Sequence, residues 1–315
     1  MLDKLKTRKS LFIYGMSALG TVALCVILRT LSIFFAFDSS IGYYKTGAPL
    51  PILLNVLTFL AVVAAFAFCF IPKISISPFE PALIKPVRMS AIFPTVGFAA
   101  YAFVYVTWLL DYLKYYPTLP MTYILTLAST LGAGIFFACA ALRKNNGDVL
   151  FILLGILAIV YFVISLADCY FDTLVQMNSP NKLVFQFACL GAMLLTVNEI
   201  RQGFDVKRNG FHLFSATVAS IFLFTSSIPS MLGYVAGKMP ISYSLFYSDA
   251  VFFMLAIFAV VRLVQMCFIE PPVIDEPEDE NTDEQSADGD LSATDSEEAI
   301  QNSADEPQGE ENECE

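Results

Sequence analysis

The sequence holds one histidine, His212, and no two of its seven cysteines lie close together. A histidine-based zinc site needs further His or a Cys pair, and no C-x-x-C, H-E-x-x-H or H-x-E is present. The scattered Cys25, Cys69, Cys139, Cys169, Cys189, Cys267 and Cys314 also argue against a disulfide framework, and most fall in apolar runs where Cys packs as a small hydrophobe. Cys314 is followed by one residue, which does not fit a prenylation box. No G-x-S-x-G elbow, Walker loop or G-x-G-x-x-G occurs, and Gly147-Asp148 lacks the glycine that precedes such a pair in membrane aspartyl proteases. The expectation is a chain that is not an enzyme and uses no cofactor or metal.

Acidic residues are scarce through residue 269. Glu270 to Glu315 carry 19 of the 29 acidic residues and none of the 18 basic ones, so the chain's net charge of -11 is negative only because of the tail. The body before it is net positive, with its Lys and Arg dispersed over short loops, and neither part implies a nucleic-acid partner.

What the body does hold is apolar surface: 57% of the chain is hydrophobic and the mean hydropathy is +0.65, which excludes a water-soluble globular protein. Crossing a hydrocarbon core of about 30 Å takes roughly 20 helical residues. Eight segments qualify, near Leu11 to Phe37, Pro49 to Ile71, Met89 to Leu110, Met121 to Leu142, Val149 to Ala167, Leu183 to Asn198, Phe211 to Val235 and Ala250 to Ile269. The runs are continuous, without the alternation of a barrel strand. The expected fold is therefore all-α, a polytopic transmembrane bundle of about eight spans over 11–269, between a basic N-terminus, 1–10, and an acidic tail, 270–315.

Cytoplasmic loops retain Lys and Arg during insertion. With the N-terminus inside, thirteen basic residues fall in cytoplasmic segments (Arg262 counted among them) against four outside, Lys45, Lys114, Lys182 and Lys238. Both ends are thus expected in the cytoplasm of a cell-membrane protein, with the first span an anchor rather than a cleaved signal. The tail has too few apolar side chains to offset the entropy of ordering, so it is expected to be disordered, with a reach of roughly 35 to 40 Å. It reads either as an inert solubilising terminus or as a segment that meets a cytoplasmic partner or the basic Arg201 to Arg208 loop. The four-proline loop Pro72 to Arg88 reads as a stiff connector.

Two groups of residues are candidates for binding. In "TSSIPSMLGYVAG", Thr225 to Gly237, Pro229 removes an N–H and frees a carbonyl near Thr225, so a kink is expected. Thr225, Ser226, Ser227 and Ser230 could satisfy that carbonyl or hold a small ligand, while Gly233 and Gly237 suit close helix packing. At the expected external ends, ten of fourteen tyrosines collect with Asp38, Asp111, Asp168, Asp172 and Asp249; Tyr112, Tyr115 and Tyr170 lie beside those aspartates. This reads as an interfacial belt or as a site for a small external cationic or sugar-like ligand. Arg29, deep in the first span, either snorkels to the headgroups or pairs with one of these aspartates. Small-residue seams at Thr130, Gly134 and Ala138, and at Ala188 and Ala192, predict tight helix contacts.

The stretch "FDSSIGYYKTGAPL" resembles a group of uncharacterised multi-span membrane proteins of clostridial bacteria, in which an aspartate, here Asp38, and a Gly-rich loop, here Gly42 and Gly47, follow the first span. That resemblance implies a bacterial cytoplasmic membrane and carries no activity onto any residue. The functional expectation is a non-catalytic sensing, binding or accessory module in the lipid bilayer, or alternatively a transporter or flippase of a small neutral or amphiphilic solute.

Overall fold

A computed structural model describes residues 2–39, 41–69, 88–142, 149–172, 179–202, 209–239 and 243–268, with side chains from residue 9 and, after the last two breaks, from 210 and 246. The acidic tail, the proline-rich loop up to residue 87 and the 203–208 loop lie outside the described residues, as does the Tyr243 side chain.

Among the described residues eight long helices follow one another: α1 (Leu2–Leu31), α2 (Pro49–Cys69), α3 (Ile92–Tyr115), α4 (Met121–Leu142), α5 (Val149–Phe171), α6 (Pro180–Gln202), α7 (Asn209–Val235) and α8 (Tyr243–Phe268). Each is long and apolar enough to cross a membrane, and the chain is a multi-pass integral membrane protein. Between lipid tails no water can satisfy a backbone N–H or carbonyl, so each crossing must close its own ladder. A π-helical turn, Ser32–Ala36, ends α1 and leads into a hairpin of β1 (Phe37–Asp38) and β2 (Tyr43–Tyr44). Gly42, at φ 76°, makes that turn and donates its N–H to the Asp38 carbonyl at 2.8 Å.

Three helices run past their expected ends. α5 continues to Phe171, α3 continues to Tyr115, its last turn carrying the Asp111–Lys114 ion pair (2.7 Å), and α6 continues to Gln202 because Glu199 is buried and paired rather than solvated. Charge ends a hydropathy window. It does not end a helix.

Helices α3 to α8 form a closed ring of sequential neighbours, α8 returning to pack on α3, while α1 lies against α7 and α8 and α2 against α1 and α7. Burial follows that order: 72% of the apolar window of α7 is buried, against 17% for α2, whose free face is left to lipid. Aromatic side chains fill the ring. Phe98, Phe137, Tyr161, Phe162, Phe252 and Phe258 meet along its axis with ring centroids 5.1–6.4 Å apart. Hydroxyls are admitted to this interior because they bond back to their own helix, as Thr130 does to the Thr126 carbonyl (2.7 Å) and Ser220 to Ala216 (2.6 Å).

The expected small-residue seams are contact lines. Ala188 and Ala192 are fully buried, and a Cβ at Gly134 would touch Phe98 at 3.4 Å. The tightest approach between α4 and α5 is nearby, where a Cβ on Gly132 would fall 2.6 and 2.7 Å from Leu157 Cδ1 and Cβ. Leu157 Cβ cannot swing away. Gly132→Ala should therefore cost about 1–3 kcal/mol by overpacking, read as a lower thermal unfolding midpoint of the detergent-purified protein. The midpoint of Gly20→Ala, where a Cβ meets nothing, should barely move.

Candidate functional site

The bundle has a tyrosine-rich end, where α3, α5 and α7 finish, and an opposite end, where α4, α6 and α8 finish. At the tyrosine-rich end the ring opens as a pocket of about 500 Å³ between α3, α4, α5 and α8. Along α3, Tyr101, Tyr105, Trp108 and Asp111 recur at steps of three and four and so share one face. Thr122, Tyr123 and Thr126 line it from α4, Asp168 from α5 and Tyr247 from α8. The rings brace one another: Trp108 lies 5.2 Å from Tyr123 and 5.6 Å from Tyr105, both centroid to centroid. Tyr101 packs edge-on to the fully buried Tyr161 at 5.6 Å, so the phenylalanine plug floors the pocket.

The sequence candidates divide three ways. Asp111 and Asp168 line the pocket, and Tyr112 supports it by packing on Trp108 and Tyr123 (5.7 and 5.3 Å). Asp249 belongs elsewhere, 2% exposed inside the bundle. Asp38, Tyr115, Tyr170 and Asp172 line neither place. Asp38 sits in the hairpin, Tyr115 is 80% exposed, Tyr170 packs on Phe171, and the Asp172 carbonyl accepts the Lys182 ammonium. Tyr101, Tyr105 and Trp108 are pocket residues that the end-of-helix census overlooks; the i, i+4, i+7 aromatic spacing running into Asp111 is the signal that marks them.

Asp249 and the "TSSIPS" stretch meet around Arg29. The α7 helix runs through Pro229 without interruption, and the Thr225 carbonyl, which loses its helical donor to the proline, accepts Arg29 Nη1 at 2.8 Å. Arg29 Nη2 donates to Asn181 Oδ1 (3.2 Å) and Ser230 Oγ (3.4 Å), so one guanidinium ties α1 to α6 and α7. Its 1% exposure rules out the snorkelling role: the side chain turns inward because three acceptors and the negative field of Asp249 await it there. Ser226 donates to Asp249 Oδ1 at 3.5 Å, Tyr234 approaches the same carboxylate, and Ser227 bonds back to Leu223. Among the described residues, Arg29 Nε and Thr225 Oγ1 are buried without a hydrogen-bond partner.

A second buried polar centre lies at the opposite end. Glu199 Oε2 accepts Arg262 Nη2 at 2.7 Å with both side chains at most 5% exposed, and Arg262 also lies over the Phe258 ring at 5.0 Å. Arg262 is thus a buried ion-pair partner rather than a loop charge. His212 is 3% exposed, and its Nδ1 receives the side-chain amides of Asn198 and Gln202. Among the described residues no three His, Cys, Asp or Glu side chains converge to hold a metal ion.

Pocket and ion centres share a wall. Tyr247 of α8 faces the pocket, while Asp249, two residues on, faces Arg29. Chemically, the pocket offers ring faces, hydroxyls and two carboxylates, a set suited to holding a small molecule. No family model, curated protein or solved structure matches the chain, so these side chains carry the functional reading by themselves.

Proposed function

We propose that this membrane protein is a non-catalytic binding module whose ligand site is the aromatic pocket at the tyrosine-rich end, and that this end faces outside a bacterial cell membrane. One observation carries the reading: a cavity of about 500 Å³, within the range of small-molecule sites, whose walls are tyrosines, a tryptophan, threonines and two carboxylates, with Val104 the one aliphatic side chain among the described lining residues. Packing alone would not leave that volume open or line it with polar groups. The orientation rests on the distribution of Lys and Arg along the sequence.

The test is ligand-dependent thermal stabilisation of the purified protein against a panel of organic cations and sugars. A ligand at 100 times its Kd adds about 2.7 kcal/mol. Thr122→Trp, at an exposed wall position, should fill the pocket and abolish the shift without lowering the ligand-free midpoint. A compound that stabilises Thr122→Trp as well as the wild type acts elsewhere and contradicts the assignment.

The buried ionisable groups favour a second reading, transport, because such groups inside spans mark solute or proton paths. Flux of the panel ligand into proteoliposomes would establish it; binding without flux supports the first reading.

A further inference from the structure

The identity of that ligand follows from a charge balance at the pocket, taking the pocket itself as the binding site. Two carboxylates face it, and among the described residues no basic side chain lines it. Asp111 already has a counter-charge beside it: Lys114 Nζ stands 2.7 Å from its Oδ1, one turn along the same helix, in an exposed pair. Asp168 has no such partner among the described residues, and its field reaches the Tyr101 and Tyr105 hydroxyls. The pocket therefore presents one carboxyl group without a basic partner, surrounded by ring faces.

We infer that the pocket takes an organic ammonium cation, its charged head against Asp168 and the Trp108 and Tyr105 faces, its apolar body extending toward Tyr101. Each alternative leaves a mismatch. An anion meets the unpaired carboxylate. A neutral sugar leaves Asp168 without a counter-charge. A bare metal ion needs several oxygen ligands in one shell, and no group of three carboxylate, imidazole or thiolate side chains is present among the described residues. An alkylammonium spreads its charge over a methyl surface that aromatic faces attract, so it needs one carboxylate and several rings, which is what these walls provide. The length also fits. Tyr101 to Asp111 spans ten residues of helix, about 15 Å, so the pocket holds more than a compact head.

Trp108 is the only tryptophan of the chain and lines the pocket, so its fluorescence reports occupancy without a label. The full chain, in a maltoside detergent that carries no ammonium group, is titrated with tetramethylammonium, choline and benzyltrimethylammonium, and with two uncharged compounds, glucose and 3,3-dimethylbutan-1-ol, the carbon counterpart of choline. A saturable change is expected with the cations, weakened about tenfold or more in Asp168→Asn at an unaltered unfolding midpoint. Lys114→Ala, which frees Asp111, should tighten binding several-fold. Cations that bind Asp168→Asn as tightly as the wild type overturn the inference. Saturation by the uncharged compounds alone also overturns it while leaving the pocket a binding site, and silence towards every compound removes both. Repeating the titration in phosphatidylglycerol nanodiscs with and without phosphatidylcholine identifies the source: competition by the choline lipid assigns the site to a lipid headgroup, and its absence to a free solute.

Discussion

Arg29→Ala should destabilise the bundle by about 3–5 kcal/mol, the cost of removing one partner from a buried charged network. The guanidinium supplies the Thr225 carbonyl, Asn181 and Ser230 with donors and offsets the buried Asp249 carboxylate, so its loss strands four groups on three helices. Arg29→Lys should recover only part of this. An ammonium keeps the charge but lacks the planar fork that reaches α6 and α7 together. The Thr225 carbonyl depends on Arg29 because Pro229 has no N–H to give, so Pro229→Ala in the Arg29→Ala background should return about 1 kcal/mol by restoring the helical donor. A double-mutant cycle on unfolding midpoints measures this coupling. If Pro229→Ala changes stability equally with and without Arg29, the two residues do not act on one carbonyl.

At the other buried centre the expected result has the opposite composition. Replacing Glu199 or Arg262 singly by an apolar residue leaves an unpaired charge inside the bundle and should cost about 3–5 kcal/mol. Glu199→Leu together with Arg262→Met removes both charges, and the pair of substitutions should cost far less than the sum, or stabilise. Apolar surface already surrounds the site, with Leu195, Phe258 and Leu263 all fully buried on the same helices. Additive costs in the double variant would show that Glu199 and Arg262 do not depend on each other. A double variant that folds well yet loses ligand flux would favour the transport reading, since a purely structural ion pair is dispensable once both halves are gone.

How far these centres were legible in the sequence depends on the range of the interactions that build them. The eight spans follow from local hydropathy, and the structure bears out the all-α bundle, moving helix ends where charges are buried or paired along the helix, as at Asp111 and Glu199. Pro229, the serines, Arg29 and Asp249 are each conspicuous alone. Their meeting joins residues about 200 positions apart, and nothing in the local sequence says which of five aspartates faces Arg29. Glu199 and Arg262 were hidden because a charge near a span end counts as a loop charge until a partner is seen beside it. Part of the pocket was visible, Asp111 and Asp168 among the terminal tyrosines. Tyr101, Tyr105 and Trp108 lie deeper within a span, where an aromatic facing lipid and one facing a cavity have the same hydropathy. Only their shared helical face separates the two.

The claim that everything functional depends on is that the pocket opens to the outside of the cell. The described native cysteines are all free, five of them buried and Cys139 half-buried, so they give a quiet background. A chain carrying Thr122→Cys on the pocket wall and Cys314→Ser in the tail is exposed, on intact cells, to an impermeant trimethylammonium thiol reagent. Labelling of Thr122→Cys before lysis, with the Cys314 chain labelled only after it, is the expected result. Labelling in the reverse order would place the pocket in the cytoplasm and contradict the account.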